Sequence, residues 1–153
     1  MSNIKPTIHK IVAYITHQQR LLVFEQPDSP EAGIQVPAGT LEYTETPQQG
    51  VLREACEETG LKNLTVDVFL GEQIRDVSDY GKNEVHHRHI YHLIAEGEVP
   101  EKWEHFERYS SDKGKTPVRF AFYWVTLPDG VTDLIADFGN KLPQLIAHLG
   151  LES

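Results

Sequence analysis

The sequence predicts a single domain of the α/β class, of α+β type: one mixed β-sheet with helices packed on it. Three observations carry this. Segments rich in β-branched and aromatic residues recur along the chain without regular β-α-β alternation. One segment, residues 47–59, carries complete helix punctuation. At 153 residues the chain is the size of one ordinary domain, long enough to bury a sizeable core. Residues 1–153 are therefore read as one unit.

The elements follow in order. Ile8 to Thr16 (IHKIVAYIT) reads as a strand, His17-Gln18-Gln19 as a turn, and Arg20 to Phe24 (RLLVF) as the second arm of a hairpin. Gln26 to Gly33, with two prolines, Asp28 and Ser29, is a loop. Ile34-Gln35-Val36 reads as a short strand ended by Pro37. Thr46 is a good N-cap, Pro47 fits the first helical position, and Gln49 completes a capping box. Gly60 supplies the stop, so a helix is expected over Pro47 to Thr59. Thr65 to Leu70, Arg88 to Glu96 and Arg119 to Leu127 read as strands. Gly97 to Lys115 is charged and aromatic, the composition of an irregular functional loop, and Pro128-Asp129-Gly130 is a turn. Asp133 to Leu149 has apolar residues at helical spacing, with Gly139 and Pro143 as sites of a break or kink.

Composition narrows the function classes. An apolar fraction of 39% and a charged fraction of 24% fit a globular chain. No apolar run approaches the roughly 20 residues of a membrane span. Met1 to Lys10 lacks the apolar core of a secretory leader, and the lone Cys56 fits a reducing compartment, so a cytoplasmic location is expected. A net charge of −9 argues against a nucleic-acid partner. It would also repel a polyphosphate, unless clustered carboxylates hold a divalent cation that inverts the local field.

Such a cluster exists in the segment GTLEYTETPQQGVLREACEETGL, Gly39 to Leu61. Glu54, Glu57 and Glu58 stand at i, i+3 and i+4 and share one helix face, whereas Leu52, Ala55, Cys56 and Thr59 fall on roughly the opposite face. Like charges on one stripe cost a few tenths of a kcal/mol per pair, and Arg53 beside them offsets only part of it. Folding does not need this stripe. Mg²⁺ uses such a set, since it takes hard oxygen ligands and completes its shell with water and phosphate oxygens.

The spacing resembles the Nudix box, G-x5-E-x7-R-E-U-x-E-E-x-G-U, where U is aliphatic. Gly39, Glu45, Arg53, Glu54, Glu57, Glu58, Gly60 and Leu61 occupy the matching places, and Ala55 is a small residue at the first aliphatic position. The resemblance implies a Nudix-like α/β/α sandwich and a metal-dependent hydrolase of phosphoanhydride bonds. The implied substrate class is a nucleoside diphosphate linked to another moiety X. It implies that Glu54, Glu57 and Glu58 hold Mg²⁺ or Mn²⁺ with the Gly39 carbonyl as a further ligand, that Arg53 orients the carboxylates, and that Glu45 braces the loop. Cys56 is expected in the core. A nucleoside triphosphate pyrophosphatase, oxidised nucleotides included, is the alternative; a nucleotide-sensing module would be expected to carry an eroded box. A small nucleotide is thus the expected partner, and a homodimer is an expectation by analogy.

Outside the box the candidates are weaker. Glu101, Glu104 and Glu107 are candidates for the general base. Arg88 or a neighbouring histidine such as His87 is a candidate for phosphate, and Trp103, Phe106 and Tyr109 are candidates to stack on a base. Strand alternation places His87 and His89 with Tyr91 on one face and His86, Arg88 and His92 on the other, which splits the cluster and argues against a transition-metal site. Trp124 reads as sheet packing. The proline expected after the box in ADP-ribose-cleaving relatives is missing from Gln73 to Val77, Tyr80 is displaced from the dinucleoside-polyphosphate position, and no coenzyme A signature stands upstream.

Overall fold

The computed structural model describes residues 4–107, 117–131 and 133–151. Seven strands form one sheet: β1 (Thr7–His17), β2 (Arg20–Glu25), β3 (Ala38–Thr40), β4 (Leu64–Asp76), β5 (Val85–Ala95), β6 (Lys102–Glu107) and β7 (Val118–Thr126). Their order is β4-β5-β1-β2-β7-β6, with β3 paired to β1. β1 and β5 run parallel and the other pairs antiparallel, so the sheet is mixed as the sequence predicts.

Two helices cover its faces. α1 (Pro47–Thr59) rests on Ile11, Ala13, Ile15, Leu93 and Phe122, and α2 (Leu142–His148) seals the face carrying Val12, Tyr14, Leu21, Val23 and Ile90. This explains why Ile11 to Ile15 is apolar without alternation and why Ile11 to Thr16 is buried throughout: a central strand covered on both faces buries every side chain.

Three expectations are corrected. Ile34–Val36 makes only a single bridge, Gln35 to Phe24, and the strand falls at Ala38–Thr40 beyond Pro37. Within the expected loop 97–115, β6 pairs with β7 across Lys102 to Glu107. It is a charged edge strand, a composition that discourages aggregation and hides the alternation. The helical pattern over 133–149 resolves into a short 3-10 turn at Ile135–Asp137 and then α2. Ala136 and Asp137 have φ of 53° and 62°, a left-handed conformation that costs about 1–2 kcal/mol per residue. Tertiary contacts hold it: the Ala136 carbonyl accepts from Arg88 Nη1 at 2.7 Å and from Arg75 Nε at 3.2 Å.

Candidate active site

The candidate site is built on the loop and helix between β3 and β4. The loop enters α1 through a complete capping box, Gln49 N donating to Thr46 Oγ1 and Thr46 N to Gln49 Oε1. The helix ends at Gly60, φ 79°, whose N–H donates to Cys56 O. Trp103 and His105 of β6 close that end: the indole donates to Thr59 O at 2.8 Å, and His105 Nε2 lies 2.9 Å from Glu57 O.

Arg53 organises the acids. Its Nε and Nη2 grip Glu45 at 3.0 and 2.7 Å, Nη1 reaches Glu54 at 3.2 Å and Glu57 at 3.3 Å, and Nη2 donates to Thr40 O. Glu42 stands 3.8 Å away. Hydrogen bonding to Glu45 raises the guanidinium's already high pKa, and the same fork holds the Glu45 carboxyl below its usual range. One guanidinium against four carboxylates leaves the cluster strongly negative.

The three helix acids differ in depth, which corrects the reading of one outward stripe. Glu57 is 54% exposed at its side chain, Glu54 17%, and Glu58 as a residue only 7%. The buried helix face is Val51, Ala55, Glu58 and Thr59, whereas Leu52 and Cys56 are only half-buried. Burial nonetheless raises the Cys56 thiol pKa, which disfavours the thiolate. Gly39 abuts Glu54: a β-carbon there would stand 2.2 Å from Glu54 Cδ. Gly50 likewise admits the loop, since a β-carbon would meet Leu41 at 2.7 Å and Glu45 at 2.8 Å.

On the α2 side of the sheet a cavity of about 270 Å³ opens beside Gly39. Lys10, Lys82 and Arg88 give it a cationic lining, His86 adds an imidazole, and Tyr80 and Phe138 give it aromatic walls. Arg88 is 2% exposed, stacks 4.2 Å from the Phe138 ring centroid, and among the described residues has no hydrogen-bond partner at Nε. Desolvation lowers the pKa of both Arg88 and Lys10, as expected for cations withdrawn from water. Lys10 Nζ donates to Thr40 Oγ1 at 2.7 Å, which ties the cavity wall to the acidic loop.

The other sequence candidates disperse. Arg88 lines the cavity, but His87 lies on the opposite sheet face and His86 takes the place expected of it. Trp103 stacks on Phe122 at 5.2 Å, and Trp124 packs in the same core. Glu104 pairs with Arg119 and Glu101 with Arg20. The Glu107 side chain and Tyr109 lie outside the described residues. Lys10, Lys82 and Phe138 were missed, because they come from separate elements and no linear spacing joins them.

The donor set suits a hard dication, since the Glu54 carboxylate abuts Gly39 while Arg53 gathers the Glu54 and Glu57 carboxylates and the Thr40 carbonyl beside it. A mixed sheet between helices, with this box on its first helix, defines a phosphoanhydride-hydrolase type of domain. A family model of the NUDIX domain matches residues 8–142, and the chain belongs to that family. The fold is similar to a crystal structure of a UDP-X diphosphatase, TM-score 0.65 at 14% identity, covering 98% of this chain and 66% of that one. It is also similar to the E. coli ORF135 protein, TM-score 0.64 at 21% identity, covering 94% and 91% of the two chains. A MutT NUDIX hydrolase from Burkholderia pseudomallei gives 0.63 at 20% identity, covering 92% and 99%. No curated protein matches the sequence. No helix among the described residues is long and apolar enough to cross a membrane.

Proposed function

We propose that this Nudix hydrolase cleaves the phosphoanhydride bond of a nucleoside diphosphate linked to another moiety X, releasing a nucleotide and a phosphorylated X. One observation carries the reading: the acidic cluster meets the cationic cavity at Gly39, so one elongated, polyanionic substrate can touch both. Glu54, Glu57 and Glu58, with the Gly39 carbonyl, would hold Mg²⁺ (Mn²⁺ as substitute). The ion supplies charge neutralisation at the phosphates and activation of water.

The chain's own residues do the positioning. Arg53 aligns the carboxylates through four hydrogen bonds, two to Glu45 and one each to Glu54 and Glu57. Lys10, Lys82 and Arg88 attract the anionic part of the substrate, in a protein whose overall charge would repel it. Tyr80 and Phe138 offer flat apolar faces to a base or to X. Water adds to phosphorus, the bridging oxygen leaves with one phosphate, and positioning with electrostatics carries most of the rate. The likeness to a UDP-X diphosphatase supports X-linked diphosphates over nucleoside triphosphates.

The test is hydrolysis of a panel with Mg²⁺ or Mn²⁺: nucleotide sugars, ADP-ribose, NADH, dinucleoside polyphosphates, nucleoside triphosphates and oxidised dGTP. Turnover of an X-linked diphosphate, reduced about 100-fold or more in Glu57→Gln, is expected. Preference for triphosphates would move the reading to a pyrophosphatase. Saturable nucleotide binding without turnover would make the domain a sensor.

A further inference from the structure

We propose that His9, His87 and His89, with Glu72 beside them, bind a transition-metal dication, best matched by Zn²⁺. The site lies on the α1 side of the sheet, on β4, β5 and β1. It takes an imidazole-seeking ion, which the carboxylate cluster on α1 does not suit.

Backbone register makes the convergence. β1 and β5 run parallel with His9 opposite His87 and Ile11 opposite His89. Glu72 of β4 stands opposite His89. Alternation does divide the histidines of β5 between two faces, but β1 then adds a third imidazole to the odd-numbered pair. The three offer ligand atoms all within 4.8 Å of one another. His9 Nδ1 faces His89 Nε2 at 3.1 Å. Two nitrogens on one tetrahedral zinc lie about 3.3 Å apart, given Zn–N bonds of about 2.0–2.1 Å. The His87 and His89 rings stack at 4.4 Å between centroids. Glu72 Oε1 is 2.9 Å from His87 Nε2 and 3.7 Å from His89 Nδ1. Glu72 thus hydrogen-bonds one ring of the stacked His87–His89 pair, the kind of contact by which a carboxylate orients a metal-binding imidazole.

A purely structural role fits these residues poorly. Cross-strand β-branched or aromatic pairs would suit the sheet face better than three imidazoles. The His9 and His89 nitrogens can share one N–H···N hydrogen bond, one donating and the other accepting; with both imidazoles protonated at their other nitrogens, the two lone pairs converge on a cation instead. The group Asp67, His92 and His148 provides the contrast. There both ring nitrogens of His92 are occupied, by Asp67 at 2.8 Å and Thr16 at 2.7 Å, so hydrogen bonding accounts for it fully.

Co²⁺ titration of the full chain without a polyhistidine tag tests the site, because its visible bands report nitrogen coordination without any activity assay. One equivalent is expected to give bands that Zn²⁺ abolishes. His9→Gln and His89→Gln should each weaken binding at least tenfold, and Glu72→Gln about 10-fold. His9 is exposed, so its variant tests the site even if His89→Gln does not fold. Bands that persist in His9→Gln, that vanish in Glu57→Gln or His148→Gln, or that never appear at millimolar Co²⁺ overturn the proposal. The readout is separate from hydrolysis, so either reading can fail alone.

Discussion

The carboxylate of Glu54 occupies the space that a side chain at Gly39 would fill, 2.2 Å from the position of its β-carbon. Strand β3 and helix α1 therefore meet through a hydrogen atom on one side and an acid on the other. Because the obstructing atoms belong to the end of a flexible side chain, Gly39→Ala can fold by displacing Glu54. The expected outcome is a loss of about 100-fold in kcat with Tm nearly retained. Metal-dependent turnover within a factor of two of wild type would disconnect Glu54 from the chemistry.

Arg53 grips Glu45 with two parallel hydrogen bonds while still reaching Glu54 and Glu57. Lysine keeps the charge but cannot make the fork. Glu45 is only 12% exposed at its side chain, so losing these contacts should cost about 1.5–3 kcal/mol. Arg53→Lys should thus lower both Tm and activity, measured by calorimetry and the substrate assay. An unchanged Tm would show that the fork does not brace the loop.

Lys82 lines the cavity from the exposed turn between β4 and β5. Lys82→Ala should raise KM for an anionic substrate roughly fivefold at low salt and leave kcat alone, since it removes binding common to ground and transition states. A fall in kcat with unchanged KM would place the substrate elsewhere.

Acid should destabilise the fold through histidines buried in the sheet. Asp67 accepts from His148 at 2.7 Å and His92 at 2.8 Å, bonds that depress its pKa, His148 contributing most. Burial depresses that of His92 below its ordinary 6.5, and that of His86 likewise. In each case the unfolded chain binds protons more readily, so stability rises with pH across the window. The histidine contributions are lost as pH falls below 6.5, and the Asp67 contribution only as pH falls below 3.8. Between pH 7 and 5 the Tm should therefore fall, and His92→Gln should fall less, with His86 and His89, both depressed by burial, supplying the remainder. An equal fall in both proteins would remove His92 as the cause.

Much of the local architecture was legible in the sequence by itself. Thr46, Pro47, Gln49 and Gly60 determine where α1 begins and ends, because caps act on backbone groups a few residues away. The β-branched and aromatic run Ile8 to Thr16 marks a strand, and the spacing of Gly39, Arg53, Glu54, Glu57 and Glu58 marks the acidic helix. These are short-range patterns, written in the order in which the chain runs.

Tertiary structure decided the rest. Which of three neighbouring glutamates is buried depends on how α1 is rolled against the sheet, which a helical wheel leaves open by a fraction of a turn. β6 exists because β7 offers it a partner, although its own composition reads as loop. Ala136 keeps a left-handed backbone because Arg75 and Arg88, distant in sequence, take up its carbonyl. The cavity joins β1, the β4–β5 turn and the segment before α2, and the three imidazoles meet only where β1 lies parallel to β5. Contacts of that range depend on pairing and packing, which no spacing along one chain encodes.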